Sequence, residues 1–576
     1  MKKSSVRTTI AILLSCNLLG ILFFLQGCND MKAGGDLSKI IKFEYIDPLE
    51  KVLTEASYFP HKDAVSEVVR GENATLHFIV RSQNSITGLK VDVTTAINGT
   101  KSLPAAKKGF VGYVRVGRSI WDYSRDKIVS VSGYYPDPIL EQESIDVDFG
   151  NTQPIWISIP IPVNAEKGLY KGQIIITGKI GNKKFTMSKD YSVKVYPVTV
   201  EKTSLWVTNL FSTDTAQLKL MNGGRSFVPF SDQHWELIRI LARKMADYRQ
   251  NVAIISPLAL SDFAYENGKW KTDFTKFDKM VEIFMKEGVI GRIEGGHIGG
   301  RESTWTSQFV VMVPGKGDDP QKKFDNLLMS DPKAKAFYTD FIPALRDHLK
   351  EKGWDKIYMQ HLADEPIHEN VKSYIEIAKF IRTLAPDFKF IDACHSKDLD
   401  GMLDIWVPQL DYMNTDYEFY NKQNHSGKEI WTYTCLNPKF EYANRFIELP
   451  LLRTRYIHWI NFKYNIPGYL HWGLNFWHPE GAFGEQTSIQ YDGGQVLPGG
   501  DGWIIYPKDG KLLSSIRFDA MRDGIVDYEL FRMLEKKDPE KAKDIIDKVV
   551  YAFDKYDNNI EAFREHRRHL MELLSE

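Results

Sequence analysis

The chain has 576 residues, 43% of them hydrophobic and 26% charged, with a net charge of −1. It is too long for one compact domain, so two or three are expected in an ordinary globular protein. The near-neutral charge gives no reason to expect nucleic acid or an anionic membrane as a partner.

The chain begins with Lys2, Lys3 and Arg7, followed by an apolar run from Ile10 to Leu25 and then Leu25-Gln26-Gly27-Cys28. The run is shorter than the ~20 apolar residues a spanning helix needs. It predicts a lipoprotein signal over residues 1–27, with Cys28 carrying the lipid. A plain signal peptide or an uncleaved anchor would export the chain equally. The expected location is therefore the bacterial cell envelope, anchored to a membrane and facing the periplasm or the cell surface. Residues 28–40 are mostly small and polar and read as a tether. Of the four cysteines, Cys16 falls in the signal, and Cys394 and Cys435 remain as either a disulfide or two buried thiols.

From 41 to 200 short alternating runs are split by turn residues. Examples are Ala74-Thr75-Leu76-His77-Phe78-Ile79-Val80 and Gly172-Gln173-Ile174-Ile175-Ile176-Thr177-Gly178. Period-two alternation without long helical patterns predicts an all-β sandwich. No chemical cluster stands out in this half.

After 201 apolar strands alternate with amphipathic helices. The strand positions are 205–211, 252–257, 289–294, 356–363, 388–392, 404–413, 429–434 and 468–473. Helices are expected over 231–248, 273–287, 333–352, 370–384, 442–464 and 516–534. Eight strand–helix units predict a catalytic (β/α)8 TIM-type barrel over 201–534. A doubly wound open sheet is the alternative, weakened by the missing glycine fingerprint of a dinucleotide site. The helical stretch 535–576 should pack on the barrel's outside.

The fourth of these strands ends in His361-Leu362-Ala363-Asp364-Glu365-Pro366. Strand C-termini are where a barrel keeps its chemistry. Successive strand side chains point to opposite faces, so two adjacent carboxylates share a pocket only where the backbone turns. The alternative is helix capping before Pro366. Neighbours in sequence cannot easily straddle a glycosidic bond, as paired glycosidase carboxyls usually do. They can approach from one side, which suits a substrate-assisted reaction. There the 2-acetamido oxygen of an N-acetylhexosamine attacks the anomeric carbon. One acid then holds the acetamido N–H, and the other protonates the leaving oxygen and later activates water.

Other strand ends supply the rest of the pocket: Tyr412 and Asn414 after the sixth strand, Tyr433 at the seventh, Trp472, Asn475 and Trp477 at or beyond the eighth. A Trp can stack on a sugar face, a Tyr hydroxyl can bond the acetamido oxygen, and an amide can read ring hydroxyls. With 13 Trp and 27 Tyr in the chain, core packing is the competing role for each ring. His297 sits in a glycine-rich loop after the third strand and either lines the site or is a loop residue. His361 reads as structural. No metal or other cofactor is expected; His471, His478 and Glu480 match no common ligand spacing, and the turn Asp492-Gly493-Gly494 lacks a calcium loop's pattern.

The Asp-Glu pair is similar to that of the hexosaminidases of glycoside hydrolase family 20, but Gln360 and Leu362 stand where those enzymes carry His and Gly. The whole layout resembles glycoside hydrolase family 123, the N-acetyl-β-galactosaminidases. The resemblance rests on Asp364-Glu365-Pro366, on Gly468-Tyr469-Leu470-His471-Trp472-Gly473-Leu474-Asn475-Phe476-Trp477 and Gly500-Asp501-Gly502-Trp503-Ile504-Ile505-Tyr506-Pro507, and on the segment from Ser515 to Glu529. It implies that Glu365 is the general acid/base, that Asp364 orients the acetamido group, and that terminal β-linked N-acetylgalactosamine is released with retention. The substrate would be a glycan or glycolipid ending in an N-acetylhexosamine. The competing readings are a hydrolase with a separate nucleophile, Asp392 or Asp416, and a non-catalytic glycan-binding lipoprotein.

Overall fold

The computed structural model describes residues 40–117, 132–315, 323–490 and 495–576. The signal, Cys28, nearly all of the tether and the 492–494 turn lie outside the described residues.

Between Ile41 and Thr199 every described regular element is a strand. One sheet runs in the order Ile41–Ile46, Asn73–Ser82, Thr152–Pro160, Lys107–Val116, Gly133–Leu140. The other runs Val65–Arg70, Lys183–Thr199, Gly168–Ile180, Ile86–Val93, Ile145–Val147. Leu76, Phe78, Val80, Ile155 and Ile157 of the first sheet share one core with Ile174, Ile176, Val193 and Val195 of the second. Asn73–Ser82 and Thr152–Pro160 are buried on both faces. The reason is that the outer side of their sheet also packs: Val111, Val114 and Trp156 join the core of the following half. That explains why alternation is blurred in the Ala74–Val80 stretch.

From Trp206 onward strands alternate with helices. Trp206–Asn209 pairs in parallel with Gly468–His471, which pairs in parallel with Thr432–Thr434. A second parallel run holds Val252–Ile254, Arg292–Glu294, Tyr358–Gln360, Lys389–Cys394, Ile405–Pro408 and Glu429–Ile430, side by side in chain order. The two runs touch at both ends. Gln409 bridges Tyr433 in parallel, and Asn251 N–H donates to the Val207 carbonyl at 3.3 Å. Helix Asp232–Asp247 starts where the Ser231 hydroxyl accepts from the His234 N–H, and Thr275–Glu287 stops at Gly288, whose φ of 88° only glycine adopts without strain. Among the described residues no helix is long and apolar enough to cross a membrane.

Two sequence expectations need correction. The sixth strand ends at Pro408, and Leu410–Thr415 is a short helix, so Tyr412 and Asn414 sit on that helix rather than on the strand. The helix expected from 442 begins at Leu451. Pro450 restricts Leu449 to extended backbone, so the helix cannot run back through it. An antiparallel hairpin, Asp262–Glu266 with Lys269–Asp273, was not anticipated although its turn is Asn267-Gly268, both at positive φ. Cys394 and Cys435 are buried free thiols, not a disulfide.

Buried charges join the two halves. Arg517, on helix Ile516–Lys537, binds both oxygens of Asp137 at 2.7 and 2.8 Å. Arg567, on helix Ile560–Ser575, reaches Glu72 at 2.5 Å and Asp527 at 2.7 Å. The Trp156 indole donates to Asp519 at 2.8 Å. Each partner of these pairs is buried and hydrogen-bonded.

Candidate active site

The strand Tyr358–Gln360 is locked at its end by Gln360, whose amide donates to the Gly296 and His361 carbonyls at 2.7 and 2.6 Å. The chain then turns. Glu365 has φ 46°, a left-handed conformation that costs an L residue with a side chain ~1–2 kcal/mol. This turn removes the objection that adjacent strand residues face opposite ways. Asp364 opens to solvent, its side chain 55% exposed, and Glu365 lines the same edge at 16%.

The two carboxyls have different neighbours. Glu365 Oε1 accepts from the Tyr433 hydroxyl and lies 3.3 Å from His395 Nε2. Arg301 Nη2 donates to the Glu365 carbonyl at 2.7 Å. His395 contacts the Tyr433 hydroxyl at 2.5 Å and stacks on the Tyr412 ring at 4.8 Å. Burial opposes the Glu365 charge, but His395, Tyr433 and Arg301 outweigh it and hold the carboxyl below its ordinary pKa. Asp364 lies 4.0 Å from His297. Its pKa is raised, first by the surrounding protein and then by the Glu365 charge, with His297 and Arg301 pulling the other way. The surroundings thus push the two proton affinities in opposite directions.

Behind Asp364 runs a chain of buried ionisable groups. Asp392 is fully buried; its oxygens accept from His361 Nδ1 at 2.7 Å, the Leu362 N–H at 2.9 Å and the Tyr374 hydroxyl at 2.5 Å. His297 Nε2 lies 3.4 Å from it. His361 Nε2 faces Glu294 Oε1 at 3.7 Å, and neither atom has a hydrogen-bond partner. Burial disfavours a charge on His361, yet Asp392 and Glu294 push its pKa up to about 10. His297, His361 and Asp392 place ligand atoms within 4.8 Å of one another, a spacing a cation could use. Two of those groups, His361 and Asp392, are hydrogen-bonded directly to each other.

The remaining sequence candidates divide. Tyr433 and Tyr412 stand beside Glu365, as described. Trp472 is half-buried, packs against the cluster that holds Tyr433, and donates its indole N–H to Asp501 at 3.1 Å. Burial pushes Asp501 up to about 7. Asn414 is turned away, its amide donating to Tyr442 at 2.8 Å. Asn475 is fully buried, and its amide is spent on both backbone groups of Ser212 at 2.9 Å, so it cannot read a sugar. Trp477 is buried with its indole on the Ile505 carbonyl at 2.8 Å, and is core. Of the alternative nucleophiles, Asp392 has no approach, and Asp416 is paired with Lys397 at 2.8 Å. His478 only accepts from the Glu480 N–H in a loop turn.

Arg301 and His395 were missed. His395 directly follows the strand Lys389–Cys394, so the strand-end rule applied to the fifth strand would have found it. Arg301 carried no such signal. A cleft of about 700 Å³ opens elsewhere, between the first half and the last helix. Its arginines are paired, Arg564 with Asp47 at 2.8 Å and Arg568 with Glu67 at 2.6 Å.

Comparison with known proteins points one way. The model of the glycoside hydrolase 123 catalytic domain matches residues 226–534, more than half of the chain. That of the glycoside hydrolase 123 N-terminal domain matches residues 57–178. Among solved structures, a family 123 glycoside hydrolase from Clostridium perfringens, described for glycolipid glycan hydrolysis, is similar over 93% of this chain and 97% of its own, with 16% identity and a TM-score of 0.70. A Thermobacillus composti GH10 xylanase, at 10% identity over 56% of this chain and 97% of its own, has a TM-score of only 0.31 and bears on nothing here. No protein of curated function matches.

Proposed function

This chain belongs to glycoside hydrolase family 123, and from that premise we propose that it releases terminal β-linked N-acetylgalactosamine from a glycan or glycolipid by substrate-assisted catalysis. The observation that carries the reading is the left-handed turn at Glu365, which brings two consecutive carboxyls to one open edge and gives them unlike partners. In this reading the two parallel runs close as one (β/α)8 barrel, and the two-sheet half is a sandwich packed against it. The lipid anchor at Cys28 and a location in the cell envelope rest on the leader sequence.

The substrate's acetamido oxygen attacks the anomeric carbon and displaces the aglycone, leaving an oxazoline-like intermediate with the charge spread onto nitrogen. Asp364 accepts the acetamido N–H and offsets that charge, so it must be ionised. In the free protein the surroundings raise the proton affinity of Asp364 and lower that of Glu365, the reverse of what the roles need. Substrate corrects this: a donated N–H favours the Asp364 carboxylate, and repulsion between neighbouring charges then drives the proton to Glu365. Glu365 delivers it to the leaving oxygen and, as the conjugate base, activates water for the second step. His297, between Asp364 and the buried Asp392, steadies Asp364 in its ionised form. Trp472 supplies an aromatic wall for the sugar face.

The test is hydrolysis of paired aryl β-N-acetylgalactosaminide and β-N-acetylglucosaminide substrates, with the anomer of the first product read by NMR. We expect faster cleavage of the galacto substrate, the β anomer first, and no cleavage of a β-galactoside lacking the acetamido group. Cleavage of that last substrate at a comparable rate would remove the substrate-assisted mechanism.

A further inference from the structure

The loop after Arg301 holds one large aromatic side chain in the open. Glu302 N–H donates to the Gln308 carbonyl at 3.0 Å and Ser307 N–H to the Thr304 carbonyl at 3.1 Å. The Ser303 and Ser307 hydroxyls meet at 2.8 Å, and Ser307 Oγ accepts from the Thr304 N–H at 2.9 Å. Upstream, the Gly299 N–H donates to the Leu362 carbonyl at 2.9 Å, which ties this segment to the approach to Asp364. A side chain at 299 would meet the Val310 carbonyl at 2.7 Å, so glycine is needed there.

Trp305 sits at the tip of this closed loop. Its carbonyl accepts from Arg301 Nε at 2.8 Å and Asn370 Nδ2 at 3.2 Å. The Arg301 guanidinium lies over the ring at 3.7 Å, while the residue stays 49% exposed. The backbone is thus fixed by polar contacts, and the indole is held flat yet largely in water. The free face of the ring is apolar surface that a stacked partner would take out of water.

The ring's place identifies that partner. Trp305 is 6.4 Å from the His395 ring, and His395 is 3.3 Å from the Glu365 carboxylate. Arg301, beneath the indole, also grips the Glu365 carbonyl at 2.7 Å. Asp364 is flanked by His297, which leads to Asp392, and feels the Arg301 charge as well. A proton donor stands at the glycosidic oxygen. A surface fixed beside the donor borders the departing group. We infer that Trp305 is the stacking platform of a subsite for the leaving sugar, the ring to which the terminal N-acetylhexosamine is joined. The inference rests on Glu365 being the proton donor. The Arg301 charge is met by the Asp364 and Glu365 carboxylates, so the subsite suits a neutral pyranose rather than an acidic one.

The experiment compares kcat/KM for an N-acetylgalactosamine β-linked to galactose with that for methyl β-N-acetylgalactosaminide, in the full chain, in Trp305→Ala and in Trp305→Phe. A lost sugar–aromatic contact is worth about tenfold. Trp305→Ala is expected to lose about that factor on the disaccharide and less than about twofold on the methyl glycoside. Trp305→Phe, which keeps a ring, should recover most of the loss. Equal losses on both substrates would make Trp305 a support of Glu365 or of the fold and overturn the subsite, as would no loss on either. If the unaltered protein cleaves neither substrate, the glycosidase reading fails first and the subsite with it.

Discussion

The boundary between the two halves and the edge that holds Asp364 and Glu365 are both built from buried charges, and they use them oppositely. At the boundary each charge is saturated: Asp137 accepts two bonds from Arg517 and one from Tyr506 at 2.5 Å. Around Asp364, polar atoms are left without hydrogen bonds: His297 Nε2, His361 Nε2 and Glu294 Oε1. Two carboxyls also sit side by side with their proton affinities pushed apart. A satisfied buried pair fixes geometry; an unsatisfied one keeps protonation open to a ligand.

This contrast can be broken in three places. The largest effect is expected at the boundary. Asp137→Ala strands the buried Arg517 charge and should cost about 3–5 kcal/mol of stability in denaturant unfolding, whereas replacing both partners with apolar residues of similar size should cost much less. An equal cost for single and double variants would show that the pair does not act as a unit. Next comes the edge that holds Asp364 and Glu365. Glu365→Gln should lower kcat at least ~100-fold, as should Asp364→Asn, while both unfold like the parent. Loss of stability in place of activity would move this pair into the class of the boundary charges.

The smallest effect concerns pH. In the proposed mechanism Asp364 is ionised, and its pKa is raised, so kcat/KM should fall with decreasing pH through a value above an aspartate's ordinary one. His297 is one of the groups that lowers that pKa. His297→Gln should therefore raise it further and move the acid limb to higher pH, measured as a kcat/KM profile. An unmoved limb would show that His297 packs beside Asp364 without acting on it.

Much of this was legible in the sequence because it is local. The Asp364-Glu365-Pro366 run, the alternation of strands and helices after 201, and the two-sheet first half depend on neighbours within a turn or two of chain. Tyr433 and Trp472 follow from the same rule, being at or next to strand ends. The rule failed where remote packing intervened. Asn475 and Trp477 also follow the eighth strand, but the Ser212 backbone and the Ile505 carbonyl claim their polar atoms and turn them inward. Asp392 resembled a nucleophile until His361 and Tyr374 covered it.

The sequence by itself determined which chemistry was possible: adjacent carboxyls at a strand end and aromatic strand ends. Tertiary structure alone decided which groups face the ligand and which proton goes where. It bent Glu365 into a left-handed turn, brought Arg301 and His395 to it from separate elements, and drew Asp364 toward His297. The reason is range. Backbone preference and side-chain periodicity are properties of a few consecutive residues, whereas burial, hydrogen-bond completion and the charge of a neighbouring group are set by segments distant in the chain that arrive only when it folds.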